Sequence, residues 1–197
     1  MESSSVIVVS CPLRAERIWQ AGTMSCPGWK GQLRPHGHGR NRSVRGMGAD
    51  TMTVTPRRAR CADCAMTHIL LPTALTVRRA DTTEVIGNAL VAKAGGAGFR
   101  TIATRLGRPV STVRRWLRRI PDSHAQWLYE RAVDRAFTID RKLLVRPAPQ
   151  KTVLGHGLNL LAGAALAYRQ RVELTDPPWA LIGFFSRGRL LAPPQSN

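Results

Sequence analysis

Apolar positions between Phe99 and Arg119 keep a helical spacing that is interrupted once, near the middle. Ile102 and Leu106 share a face before Gly107, and Val113, Trp116 and Leu117 share one after it. The pattern predicts two short helices joined by a tight turn. Gly107 suits that turn because glycine takes the left-handed backbone that ends a helix without steric cost. Ala103 is small where the second helix must cross the first. The remaining positions, Ser111, Thr112, Arg114, Arg115, Arg118 and Arg119, then fall on the outer face of the second helix. A helix-turn-helix that reads the major groove has this arrangement. The plainer alternative is a helical hairpin with a solvated basic face.

Upstream, residues 1–76 are rich in Gly, Pro and Arg. They hold short β-type runs at 6–9, 51–55 and 68–71, and a helix is expected at 13–20. Asp81-Thr-Thr-Glu84 reads as a capping box, with Asp81 as the cap and Glu84 reaching back to it. The helix it opens runs through Leu90 to Gly95-Gly96, as the first of three, and Pro121 ends the third. A further helix is predicted from Asp122 toward Leu144, ahead of Pro147 and Pro149. Another spans 154–171, rich in Gly and Ala, and a short one lies in 178–186 with Asp176 as its cap. Pro193-Pro194 closes the tail. The expected fold class is mainly α with a small β-rich N-terminal part, divided at 1–76, 80–121 and 122–197.

Charge changes this picture from architecture toward partner. Among 197 residues the formal net charge is +18, and 43% are hydrophobic, enough to bury a core. Such an excess favours a polyanion, through an attraction to phosphate that needs no sequence specificity. Positive charge is densest across 81–121. Arginine carries most of it, and a GC-rich genome favours arginine regardless of function, so position is more informative than residue type. The apolar run within 5–10 is short and has no basic stretch before it, which argues against a secretory signal. The stretch 158–167 is too short to span a bilayer and contains Asn159. The expected location is therefore cytoplasmic and nucleoid-associated, where the four cysteines are reduced or metal-bound.

Cys61-Ala62-Asp63-Cys64 is a Cys-x-x-Cys knuckle, half of a tetrahedral zinc site. The other half is expected around Cys26, but the position that should pair with Cys26 is Trp29. His36 can supply the fourth ligand, with His38 as the alternative, giving Cys26, Cys61, Cys64 and one histidine around Zn2+. A ribbon that folds without metal, or that binds it weakly, is the competing reading. A redox role for Cys61 and Cys64 lacks the βαβ surroundings it would need. Cys11 is expected to be a small buried residue and His68 a structural strand residue, while His124 and His156 carry no signal.

CPGWKGQLRPHGHGRNRSVRG, RRARCADCAMTHILLP and RRADTTEVIGNAL, followed by the two-helix segment, resemble a family of uncharacterised actinobacterial proteins. Those proteins pair an N-terminal zinc-ribbon-like segment with a helix-turn-helix and are associated with insertion sequences. The order is also similar to the N-terminal DNA-binding part of bacterial transposases. The resemblance covers residues 5–120, and PPWALIGFFSRGRLLAP resembles the family's C-terminal signature. It implies DNA binding in a mobile-element context. Trp29 departs from it, standing where the family has the second cysteine of a CPxC pair.

Catalysis finds no support in the pattern. Strand transfer needs three carboxylates around two metal ions on a sheet, yet Asp122, Glu130, Asp134, Asp140, Glu173 and Asp176 all lie in helical segments or caps. Gly95-Gly96-Ala97-Gly98 lacks the Lys-Ser/Thr of a phosphate loop. The expected function is sequence-specific binding of double-stranded DNA, regulatory or mobile-element-associated. Ser111, Thr112, Arg114 and Arg115 would approach base edges, and Arg100, Arg118 and Arg119 phosphates. Arg40, Arg42, Arg45, Arg57, Arg58 and Arg60 either extend that footprint or form a solvated surface. Two readings from other classes stay open: a non-catalytic part of a transposase working with a transposase partner, and a basic RNA-binding or structural protein. Leu158, Leu160, Leu161 and Leu166 serve either a homodimer interface or a monomer core.

Overall fold

The β-branched run Val6–Val9 folds as strand β1 (Ser5–Val9), and it does so against a partner far along the chain. The computed structural model describes residues 5–9, 22 and 24–191, so the helix expected at 13–20, Cys11 and Pro193-Pro194 lie outside the described residues. β1 pairs in parallel with β6 (Thr67–Pro72), from Ser5↔His68 to Val9↔Pro72. β6 pairs antiparallel with β5 (Arg57–Cys61), and β5 antiparallel with β2 (Leu33–His38). The sheet order is β1-β6-β5-β2. β3 (Arg42–Arg45) and β4 (Thr51–Val54) form a second, two-stranded antiparallel sheet.

The mixed four-stranded sheet and the separate hairpin overturn the expected mainly α class, while the strands do fall in the N-terminal part, between Ser5 and Pro72. The chain is α+β. The physical reason is that β2 (LRPHGH), β3 (RSVR) and β5 (RRARC) carry too few apolar residues to show a period of two. Their pairing is decided by neighbours, and the parallel closure of β1 on β6 has no local signature.

Among the described residues seven helices follow. α1 spans Thr83–Ala94, α2 Phe99–Leu106, α3 Val110–Leu117 and α4 Asp122–Ile139. α5 is Lys142–Val145, α6 Val153–Arg171 and α7 Pro178–Phe185. The cap of α1 is Thr82, whose Oγ1 accepts from the Val85 N–H at 3.4 Å, not Asp81 as the capping box predicts. Asp81 is drawn away by an ion pair. α7 likewise starts after Pro177, whose fixed φ suits a helix entry, and Asp176 makes no cap there.

The helical core joins Ile86 and Leu90 of α1, Ile102 of α2, Val113 and Trp116 of α3, Leu128 of α4 and Leu161 of α6. Leu158, Leu160 and Leu161 are buried within it, while Leu166 is exposed. Three of the four leucines thus complete the chain's own core. α4 and α6 pack closely because Gly157 has no side chain: a Cβ there would lie 3.1 Å from the Tyr129 backbone. α7 approaches the segment after β6 more closely still, where a Cβ on Gly183 would meet the Thr73 carbonyl oxygen at 2.2 Å.

His124, which the sequence pattern passed over, is fully buried at the start of α4. Its Nε2 lies 3.2 Å from the Leu190 carbonyl, and its ring stacks on Trp127 with centroids 5.4 Å apart. Burial pushes its pKa below the ordinary value, partly offset by the Leu190 and Arg189 carbonyls. The ring is held neutral, its Nε2–H donating to Leu190.

Gly183→Ala should lower the unfolding free energy by about 1–3 kcal/mol in urea titration, because backbone must shift to admit the methyl group. The depressed folded-state pKa of His124 means that the unfolded chain binds the proton first as pH falls. Its contribution is complete above about pH 6.5 and is lost progressively below that value. His124→Gln, which keeps a donor toward Leu190, should flatten this part of a stability profile measured between about pH 7.5 and 5.5.

Candidate functional site

Two loops of like geometry bring the cysteines together. In the first, the Cys26 N–H donates to the Gly31 carbonyl at 2.8 Å, and Lys30 takes a left-handed φ of 57°. In the second, the Cys61 N–H donates to the Met66 carbonyl at 3.0 Å, and Ala65 takes a φ of 56°. In each loop the left-handed residue stands four positions after the cysteine and the acceptor five. Cys64 and Trp29 are therefore counterparts, each three positions after the first cysteine of its loop. The loops face each other so closely that a Cβ on Gly31 would lie 2.2 Å from Asp63 Oδ2 and 3.0 Å from Cys61 Sγ.

The Sγ atoms of Cys26, Cys61 and Cys64 all lie within 4.8 Å of one another, and Cys26 and Cys64 are 3.9 Å apart. Tetrahedral thiolates on one zinc stand about 3.8 Å apart, given metal–sulfur bonds of about 2.3 Å. The three thiols can bind a metal ion. The backbone N–H of Cys64, foremost, holds the Cys61 thiol below its ordinary pKa against the effect of burial. At Cys64 the Met66 N–H pulls the same way, but burial and the neighbouring Cys61 and Cys26 outweigh it and leave that thiol raised.

His36 and His38 are not part of this cluster. β2 runs antiparallel to β5 from Leu33↔Cys61 to His38↔Arg57, so each residue beyond Leu33 leads away from Cys61. At about 3.3 Å per residue, His36 is displaced along the strand by about 10 Å and His38 by more. His36 is half-buried and His38 exposed. The histidine beside the thiols is His68, buried on β6, with Nε2 3.4 Å from Cys26 Sγ. Its neighbour across the sheet is Ala59, two residues from Cys61, so strand alternation puts His68 and Cys61 on one face. Burial holds the His68 pKa below the ordinary value, which keeps a nitrogen lone pair available. The sequence offered only an apolar strand run around it.

The second feature is the basic face of α2 and α3. α2 ends at Gly107, whose φ is 59° and ψ 40°, and Pro109 precedes α3. Ile102, Ala103, Val113 and Trp116 are buried, which leaves Ser111, Arg114, Arg115, Arg118 and Arg119 exposed and Thr112 half-buried. Arg100 and Arg114 lie against the Phe99 ring at 5.7 and 5.8 Å from its centroid. With Val110, Ser111, Arg115 and Arg118 they line a shallow groove.

Arg78 and Arg79, which sequence reading missed, join this face from the segment between β6 and α1. Burial, first, and then the charges of Arg119, Arg115 and Arg78 lower the Arg79 pKa. The Arg79 guanidinium thus feels three like charges, and residues 99–119 contain no acid. Arg45 is engaged with an acid, its Nη2 contacting Asp81 Oδ2 at 2.7 Å. The other Asp81 oxygen accepts from Arg108 Nε at 2.7 Å. Arg108 also donates to the carbonyls of Leu106 and Gly107, at 3.1 and 3.3 Å, and to that of Gly46. A buried carboxylate therefore fastens the turn between α2 and α3 to the β3–β4 hairpin.

Residues 26–116 match a family model described as a domain of unknown function (DUF6431). The match opens on Cys26 and closes on Trp116, so it takes in the thiol cluster, the Asp81 ion pair and most of α3. No curated protein and no solved structure matches the chain. Among the described residues no helix is long and apolar enough to cross a membrane.

Arg108→Ala should destabilise the protein by about 3–5 kcal/mol in denaturant titration, because it removes the buried partner of Asp81 and leaves only the half-exposed Arg45. Arg45→Ala should cost less than about 1 kcal/mol, since the Arg45 side chain is 41% exposed and its pair is screened by solvent.

Proposed function

We propose that this protein binds duplex DNA, with α2, the Gly107 turn and α3 acting as a helix-turn-helix and α3 entering the major groove. Ser111, Thr112, Arg114 and Arg115 approach base edges, and Arg100, Arg118 and Arg119 grip phosphates. Arg78 and Arg79 add phosphate contacts from the flank. The observation that carries the reading is the exposure of Arg114, Arg115, Arg118 and Arg119 on α3, beside an Arg79 that Arg119 and Arg115 repel. Such repulsion destabilises the free protein and is relieved when a phosphate backbone lies across it. The same reading takes the metal at Cys26, Cys61 and Cys64 to be Zn2+ in a structural role, because thiolate sets on tight turns suit that ion and leave it little open coordination.

Selection of bound fragments from a random duplex pool should enrich a sequence. On that sequence Arg115→Ala should lose about 1–3 kcal/mol while nonspecific binding changes little. Arg79→Ala should weaken all duplexes alike and reduce the salt slope by about 1. Equal or tighter binding of structured RNA at the same salt would overturn the DNA reading.

A further inference from the structure

The two cysteine loops repeat the same backbone geometry, yet one presents a second thiol at Cys64 and the other an indole at Trp29 that is 69% exposed. The first loop therefore cannot complete a four-thiolate set. On the sheet side of the cluster stands His68, 1% exposed, with Nε2 3.4 Å from Cys26 Sγ. A sulfur and an imidazole nitrogen bound to one tetrahedral zinc lie about 3.5 Å apart, from bonds of about 2.3 and 2.0–2.1 Å. Only the three sulfurs lie within 4.8 Å of one another, so the imidazole must turn further toward Cys61 and Cys64 to complete a tetrahedron. The strand register favours that direction, since His68 is paired with Ala59 and shares the sheet face of Cys61.

Building on the zinc reading above, we infer that His68 is the fourth metal ligand, so that the chain carries a three-cysteine, one-histidine centre whose imidazole replaces the thiol missing at Trp29. The imidazole reaches the ion through Nε2 from β6, and Cys61 reaches it from the end of β5. The metal thereby crosslinks two adjacent strands of the sheet to the Cys26 loop. His36 and His38 take no part. The site is closed, with four protein ligands, which suits a structural ion.

The test uses the full chain loaded with Zn2+ for X-ray absorption and with Co2+ for optical titration. The expected first shell is three sulfurs and one nitrogen, with the outer scattering of one imidazole. His68→Ala should abolish that imidazole scattering and weaken Co2+ binding by more than the roughly 10–100-fold that loss of an outer partner costs. His36→Ala should leave both unchanged. Because His68→Ala empties a buried position, the double variant Trp29→Cys, His68→Ala serves as a second reading. It should regain tight Co2+ binding with a four-sulfur shell, since the new thiol sits at the counterpart of Cys64. Metal bound by three sulfurs with no imidazole scattering, unaltered in His68→Ala, would overturn the His68 assignment and leave the zinc reading standing. Failure of the unaltered chain to bind Zn2+ or Co2+, or binding unchanged in Cys64→Ser, would overturn both.

Discussion

Asp81 is a carboxylate 2% exposed, held between the guanidinium groups of Arg45 and Arg108. A lone charge so placed would be very costly, and the pair of arginines makes the position tenable. Its consequence is positional. Arg108 belongs to the turn between α2 and α3, Arg45 to β3, and Asp81 to the residue just before the cap of α1. One acid thus ties the hairpin, the entry of α1 and the α2–α3 turn into a fixed relation. Backbone bonds support the same junction: the Arg45 N–H donates to the Ala80 carbonyl at 2.8 Å, and the Thr82 N–H to that of Arg45 at 3.0 Å. Without this junction the orientation of α3 would rest on the apolar contacts of Ile102, Val113 and Trp116 alone.

Charge is distributed in two ways that serve opposite ends. Arg45 and Arg108 are ion-paired with Asp81 and contribute order, whereas Arg78, Arg115 and Arg119 act on Arg79 as like charges and contribute field. A net charge of +18 does not distinguish these roles, because it counts every arginine alike. Burial and partner do. The proposed DNA-binding face is therefore defined as much by the arginines that are taken out of it as by those left on it.

What could be read from the chain followed the range of the interactions involved. The two helices around Gly107 were legible because their apolar spacing, small Ala103 and left-handed turn are all local. The ends of α1 and α6 were nearly so, although Asp81 was assigned a cap that Thr82 makes, since a tertiary ion pair outweighs a local hydrogen bond. The sheet was poorly legible. β2 and β5 hold arginine, proline, glycine and histidine, and only their pairing reveals them as strands. The histidine near the thiols was missed for the same reason. Nearness along the sequence pointed to His36, while antiparallel register carried that residue away and brought His68 in. The cysteines themselves were legible because their turns are short and self-contained.

The parallel pairing of β1 has a further implication for how the protein acquires its shape. Its sheet partner β6 emerges from the ribosome only after β2 to β5 have been made. Two further neighbours lie later still: the Thr73 N–H donates to the Val9 carbonyl at 3.0 Å, and Val8 lies close to Gly188 in the turn after α7. Among the described strands, the first to be made thus waits for β6 before it can pair. Until then an adhesive Val-Ile-Val-Val edge stays uncovered, a hazard for clumping during biosynthesis that no contact in the finished molecule betrays.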